Sequence, residues 1–242
     1  MADIRVIPLQ ELFRESFSCF CANGRFMAAF TVVHILFLIA GFELINGWQD
    51  VFFLPWLAAY YLFWCFFFRF YFRRRPYLAT LKLFGTLVPS TKILALTFVV
   101  VTALLALPLI PPFLGVGSEW AENYSAYLQR YMEDSRVIDG VTIALMTLIA
   151  PLVFYRPMMA WISSLIGRSG SLKSAFVRTK GNYWRLTFVA VVFECLFVGL
   201  EAAGQALGIG SWLSIVVGSP FVVYFNVFLA KLYDYFFLEI EA

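Results

Sequence analysis

Four polar side chains set within long apolar stretches mark where this chain could do chemistry. His34, the single histidine, stands nine residues past Arg25, where one apolar stretch opens, and Glu194 stands ten residues past Trp184, where another opens. If both stretches enter a bilayer from the same side, the two groups share a depth. Ionisable groups in hydrocarbon are costly and turn toward a bundle interior, a water-filled cavity or one another. That predicts a His34–Glu194 hydrogen bond. Glu201, two turns beyond Glu194 on the same helical face, and Asn226, in the last apolar stretch, extend the polar set. Lined up, these groups could carry a proton or a cation. The simpler expectation is that they hold helices together, at about 0.6 kcal/mol per interhelical contact.

Catalysis finds little support, and no catalytic residue is expected. A Ser–His pair needs a serine beside the histidine, and the stretch around His34 offers none. Gly167-Arg-Ser-Gly170 is similar to the nucleophile motif of rhomboid proteases, but it sits in a basic segment, and the last apolar stretch has no histidine to act as base. Neither a phosphate-binding Gly-rich loop ending in Lys-Ser/Thr nor a paired-histidine zinc motif occurs, so neither metal nor cofactor is expected. Of the four cysteines, Cys19 and Cys21 lie two apart and point to different faces of a helix, which makes a poor chelate. Cys65 and Cys195 fall inside apolar stretches.

The elements that must position these groups follow from composition. Of 242 residues, 62% are apolar and 14% charged, whereas soluble domains run near 45–50% and about 25%. A bilayer must take up the surplus. About 20 apolar residues cross its core as a helix, and six stretches meet that length: Arg25–Ile45, Val51–Phe72, Lys92–Phe113, Val137–Tyr155, Trp184–Ala206 and Ser211–Leu232. They are continuous rather than alternating, which excludes barrel strands. Only helices satisfy their own backbone within one hydrocarbon segment. The predicted class is therefore an all-α polytopic membrane protein with six transmembrane helices.

The basic residues orient it. With the N-terminus in the cytoplasm, 16 of the 18 Lys and Arg fall on the cytoplasmic side, and only Arg130 and Arg136 fall elsewhere. The short connections Asn46–Asp50 and Ala206–Gly210 contain neither Lys nor Arg. Positive residues gather inside, so both termini are expected in the cytoplasm. No cleavable signal peptide is evident, because the first apolar stretch lacks a small-residue cleavage site. The formal charge of +3 then reflects topology rather than affinity for nucleic acid. Arg73, Arg74 and Arg75, with Lys173, Arg178 and Lys180, are placed to contact lipid headgroups, at up to about 1 kcal/mol each.

Each basic segment also carries an amphipathic pattern. Leu9, Leu12, Phe13, Phe17 and Phe20 form the first stripe and Leu78, Leu81, Phe84 and Val88 the second; Leu172, Ala175, Phe176 and Thr179 form the third. Such helices lie in the headgroup plane with the apolar face down. The pairs Phe17…Asn23, Phe84…Ser90 and Phe176…Asn182 keep one spacing. This divides a single membrane domain, 1–242, into a threefold repeat, 8–72, 76–155 and 171–238, each an interfacial helix followed by a transmembrane hairpin. On the outer face, Gly115–Ile138 forms the one sizeable loop. Trp120, Tyr124, Tyr127 and Tyr131 recur in it at helical spacing, suiting either the outer leaflet or a protein partner.

The stretch Gly170-Ser-Leu-Lys-Ser-Ala-Phe-Val-Arg-Thr-Lys-Gly-Asn-Tyr-Trp-Arg-Leu186 resembles the cytoplasmic segment of the YciC-like bacterial inner-membrane proteins. A similar pattern occurs in the membrane domain of some glycerophosphodiester phosphodiesterases. The resemblance implies six spans with both termini inside and a place in the bacterial inner membrane. It implies no catalytic residues, and no phosphodiesterase domain is present. The expected role is that of a non-enzymatic scaffold, accessory subunit or membrane-homeostasis factor, partnered by the lipid bilayer and by another membrane protein. The alternatives are a small transporter or channel for protons, ions or a lipid-like substrate, using His34 and Glu194, and an immunity protein against a membrane-active toxin.

Overall fold

The computed structural model describes residues 6–47, 52–72, 88–97, 99, 148–167 and 171–238. Arg73, Arg74 and Arg75, the outer residues Trp120, Tyr124, Tyr127 and Tyr131, most of the second amphipathic segment and most of the third expected span lie outside them. Among the described residues the regular structure is helical, without strands. It comprises α1 (Leu9–Ala22), α2 (Gly24–Gly47), α3 (Phe53–Tyr71), α4 (Arg156–Leu165), α5 (Leu172–Arg178), α6 (Tyr183–Ala206) and α7 (Trp212–Tyr233). Helical residues 88–97 precede α4, which a π-helical turn, Pro151–Tyr155, introduces.

Four described helices are long and apolar enough to cross a membrane: Gly24–Phe42, Leu148–Leu165, Tyr183–Ala206 and Trp212–Phe237. The expected fourth span needs correcting at its end, because the helix runs ten residues past Tyr155 to Leu165. Pro157 does not stop it. The helix runs through Pro157 without a break, and the π turn immediately before it takes up the change of hydrogen-bond register that a residue lacking an N–H imposes. Beyond Pro157, Met159 through Leu165 are all buried.

An aromatic seam joins α2 to α3. Phe26 stacks on Phe70 at 3.6 Å, Phe30 meets Phe67 at 5.1 Å, and Phe37 meets Tyr60 at 5.8 Å. The rising number on one helix matches a falling number on the other, so the pair is an antiparallel hairpin. Gly41 lets the seam close at its far end, since a Cβ there would sit 2.5 Å from the Trp56 ring. Rings at these distances contribute about 0.5–1.5 kcal/mol per pair beyond the area they bury.

Helix α7 is the hub, packing against α1, α2, α4 and α6. It joins α6 through a tight turn. The N–H of Gly208 donates to Gln205 O and that of Ile209 to Gly204 O, with Gly208 at φ +71°. This is the Schellman pattern, in which a left-handed residue satisfies the last carbonyls of a helix. Helix α1 lies across the C-terminal half of α7, with Phe13 stacked on Phe228 and the Tyr224 hydroxyl donating to Phe13 O. Its buried stripe departs from expectation at one position. Phe17 is exposed, and Ser16 takes the inward place by donating its hydroxyl to Leu12 O.

Candidate functional site

His34 projects from α2 into the angle between α3 and α7 and is 1% exposed. Both ring nitrogens are engaged: Nε2 lies 2.9 Å from the Tyr60 hydroxyl and Nδ1 lies 2.9 Å from Ser219 Oγ. The proton positions follow by elimination. Ser219 Oγ lies 2.5 Å from Ile215 O, and a carbonyl only accepts, so the serine spends its one hydrogen there. Nδ1–H must then donate to Ser219, and in the neutral ring, the form that burial among apolar helices favours, Nε2 accepts from Tyr60. The result is a neutral imidazole with one tautomer fixed from both sides. Trp56 holds Tyr60 in place by stacking on it at 5.5 Å while its own Nε1–H donates to Phe37 O.

A serine beside a histidine raises the question of nucleophilic chemistry. Activation requires the imidazole to accept the hydroxyl proton, and here the imidazole gives a proton to the hydroxyl. Ser219 is itself 1% exposed. The arrangement is a cross-link among three helices. Sequence reasoning missed the serine because it searched only the stretch that carries His34. One signal was available, since Ser219 stands beside Pro220, a proline inside a transmembrane helix.

The expected His34–Glu194 pair does not form, because Tyr60 and Ser219 occupy both nitrogens. Glu194 is exposed and instead lines an open crevice of about 490 Å³ with Val153, Tyr155, Phe193 and Phe197. Nor does Glu201 continue a path from it. Its two carboxylate oxygens accept from Ser211 Oγ at 3.0 Å and Ser214 Oγ at 2.8 Å, which clips the α6–α7 turn. Asn226 is buried and donates to Val222 O within its own helix. It lines a second cavity, of about 340 Å³, together with Tyr60, Tyr61 and Trp161. The four groups thus serve four separate places. Among the described residues no group of three His, Cys, Asp or Glu side chains could hold a metal ion.

The basic residues of the third amphipathic segment divide. Lys173 and Lys180 are exposed, whereas Arg178, expected at the headgroups, turns inward. Its guanidinium donates to Phe236 O at 3.2 Å and lies over the Phe237 ring, fastening the end of the last helix. Ser171 caps α5 by accepting from Ser174 N, and Gly181 at φ +84° turns the chain into α6. This turn captures the N-terminal segment. The Ile7 N–H donates to Asn182 Oδ1 at 2.9 Å, Ile7 O accepts from Arg185, and Val6 O accepts from the Tyr235 hydroxyl. A piece of backbone with no secondary structure of its own is thereby satisfied by three side chains, as buried peptide groups must be.

Comparison of the chain with known protein families, characterised proteins and solved structures returns no match.

Proposed function

We propose that this chain is a six-span integral protein of a bacterial inner membrane, without catalysis, which serves as a scaffold or accessory subunit for another membrane protein. The observation that carries the reading is the His34 cross-link. The group best suited to proton or cation chemistry is buried, neutral and committed at both nitrogens to helix packing. A relay needs a group free to exchange protons with its neighbours, and this chain of donors ends on the backbone carbonyl of Ile215. Termini on a common side are supported by the hydrogen bond between Val6 and Tyr235, which brings residues near both ends of the chain together. With the sorting of Lys and Arg, it favours an even number of spans and a cytoplasmic location for both ends. The threefold plan of interfacial helix and hairpin belongs to the same reading, as does the resemblance to YciC-like proteins.

Two measurements test it. Affinity purification in mild detergent is expected to recover a membrane protein in fixed stoichiometry, and topology reporters at the two ends are expected to respond in the same compartment. A chain that purifies alone and conducts protons or ions in liposomes, with flux abolished in His34→Phe, would overturn the reading.

A further inference from the structure

Glu194 sits near the middle of a 24-residue apolar helix, about 16–18 Å of helix from its two ends. It makes no hydrogen bond or ion pair among the described residues. Glu201 on the same helix is served by two serine hydroxyls. A carboxylate at that depth is costly unless something pairs with it. Apart from Thr97 and the Tyr155 phenol, the cavity it lines is walled by aliphatic and aromatic side chains, and its 490 Å³ falls within the range of ligand pockets.

One wall is irregular. The π turn Pro151–Tyr155 contributes Val153, Phe154 and Tyr155 to the lining, and π turns inside helices concentrate at functional sites. Phe154, Phe225 and Leu94 also border the second cavity, so the two volumes adjoin across a partition of three side chains. An elongated apolar ligand therefore has room on both sides of that partition, with a single anionic handle at one end.

We propose that the crevice between the π turn, α6 and α7 binds a single-chain amphiphile with a cationic head, its ammonium paired with Glu194 and its hydrocarbon chain lying against Phe193, Phe197 and Phe154. The ammonium neutralises the carboxylate at mid-membrane, and the concave apolar wall takes the tail. A concavity of this size fits one alkyl chain rather than the flank of a transmembrane helix.

The test uses the full chain in maltoside micelles and a tetradecylamine carrying a photoreactive diazirine in its tail. Labelled peptides are mapped by mass spectrometry, with unlabelled tetradecylamine or tetradecanol as competitor. Labelling is expected on the peptides around Val153 and Phe197, with the amine competing about tenfold or more better than the alcohol. Glu194→Gln is expected to erase that preference and Glu194→Asp to retain it. Val153→Trp, which fills the cavity and keeps the carboxylate, is expected to abolish labelling, so the proposal does not depend on the folding of one variant. Equal competition by amine and alcohol, labelling spread evenly over the spans, or amine preference unchanged in Glu194→Gln would overturn it. So would Glu194-dependent capture of a membrane protein without amine labelling, which would assign the carboxylate to a protein contact.

Discussion

Replacing Gly204 by alanine should destabilise the protein although it adds only a methyl group to a helix. A Cβ built at Gly204 lies 2.2 Å from the Gly210 carbonyl oxygen and 3.3 Å from the Leu213 side chain. Ordinary contact begins at 3.4 Å, so the turn would have to open by about 1 Å. The opposing atom is backbone, held by the Schellman turn and by Gly208 and Gly210 at positive φ, and it cannot swing aside as a side-chain tip would. Overpacking of this kind costs about 1–3 kcal/mol. Against it stands the intrinsic gain of alanine over glycine in a helix, about 0.8–1.0 kcal/mol. Gly199→Ala isolates the packing cost, because nothing lies within 4 Å of a Cβ there and the same gain applies. Equilibrium unfolding in mixed micelles, followed by near-ultraviolet circular dichroism, should therefore place Gly204→Ala about 1–3 kcal/mol below Gly199→Ala. A difference under about 0.5 kcal/mol would refute the claim that the close approach of Gly204 to Gly210 fixes the α6–α7 hairpin.

His34→Phe keeps the ring contacts with Phe63 and Trp64 but strands the Tyr60 hydroxyl, so unfolding should show a loss of about 1–3 kcal/mol. Asn182→Ala removes the acceptor for the Ile7 N–H, and hydrogen exchange at that amide should quicken about two- to tenfold while α2 and α3 stay protected. Glu15→Gln breaks the 3.5 Å contact with Lys231, yet Glu15 is 57% exposed, so stability should change by no more than about 0.5 kcal/mol.

The helical, membrane-embedded character was legible because it rests on length and hydropathy, which are local properties of the chain. The amphipathic stripe of α1 was legible for the same reason, save at Phe17, because a helical period is written in the chain itself. The cross-link at His34 was not legible. Depth along a span can be counted, but which faces of α2, α3 and α7 converge depends on packing among helices far apart in sequence, here 185 residues between His34 and Ser219. Matching His34 to Glu194 by depth alone ignored azimuth around the helix axis, and azimuth decided the partner. Arg178 misled in a similar way. A cation near a membrane surface reads as a headgroup contact, and nothing local announces that the last carbonyls of another helix lie closer.

The captured segment at Ile7 also bears on the order in which the protein can be completed. Ile7 and Asn182 are 175 residues apart, so at 5–20 residues per second the ribosome delivers the receptor roughly 9–35 s after the segment it receives. Throughout that interval α1 has neither α7 to lie on nor Arg185 and Tyr235 to hold its leading backbone. The earliest residues made must wait, solvated or chaperoned, for the latest. Closure of the bundle is thus a post-insertion event, and any lesion that removes the final helix leaves a loose leader for quality-control proteases to find.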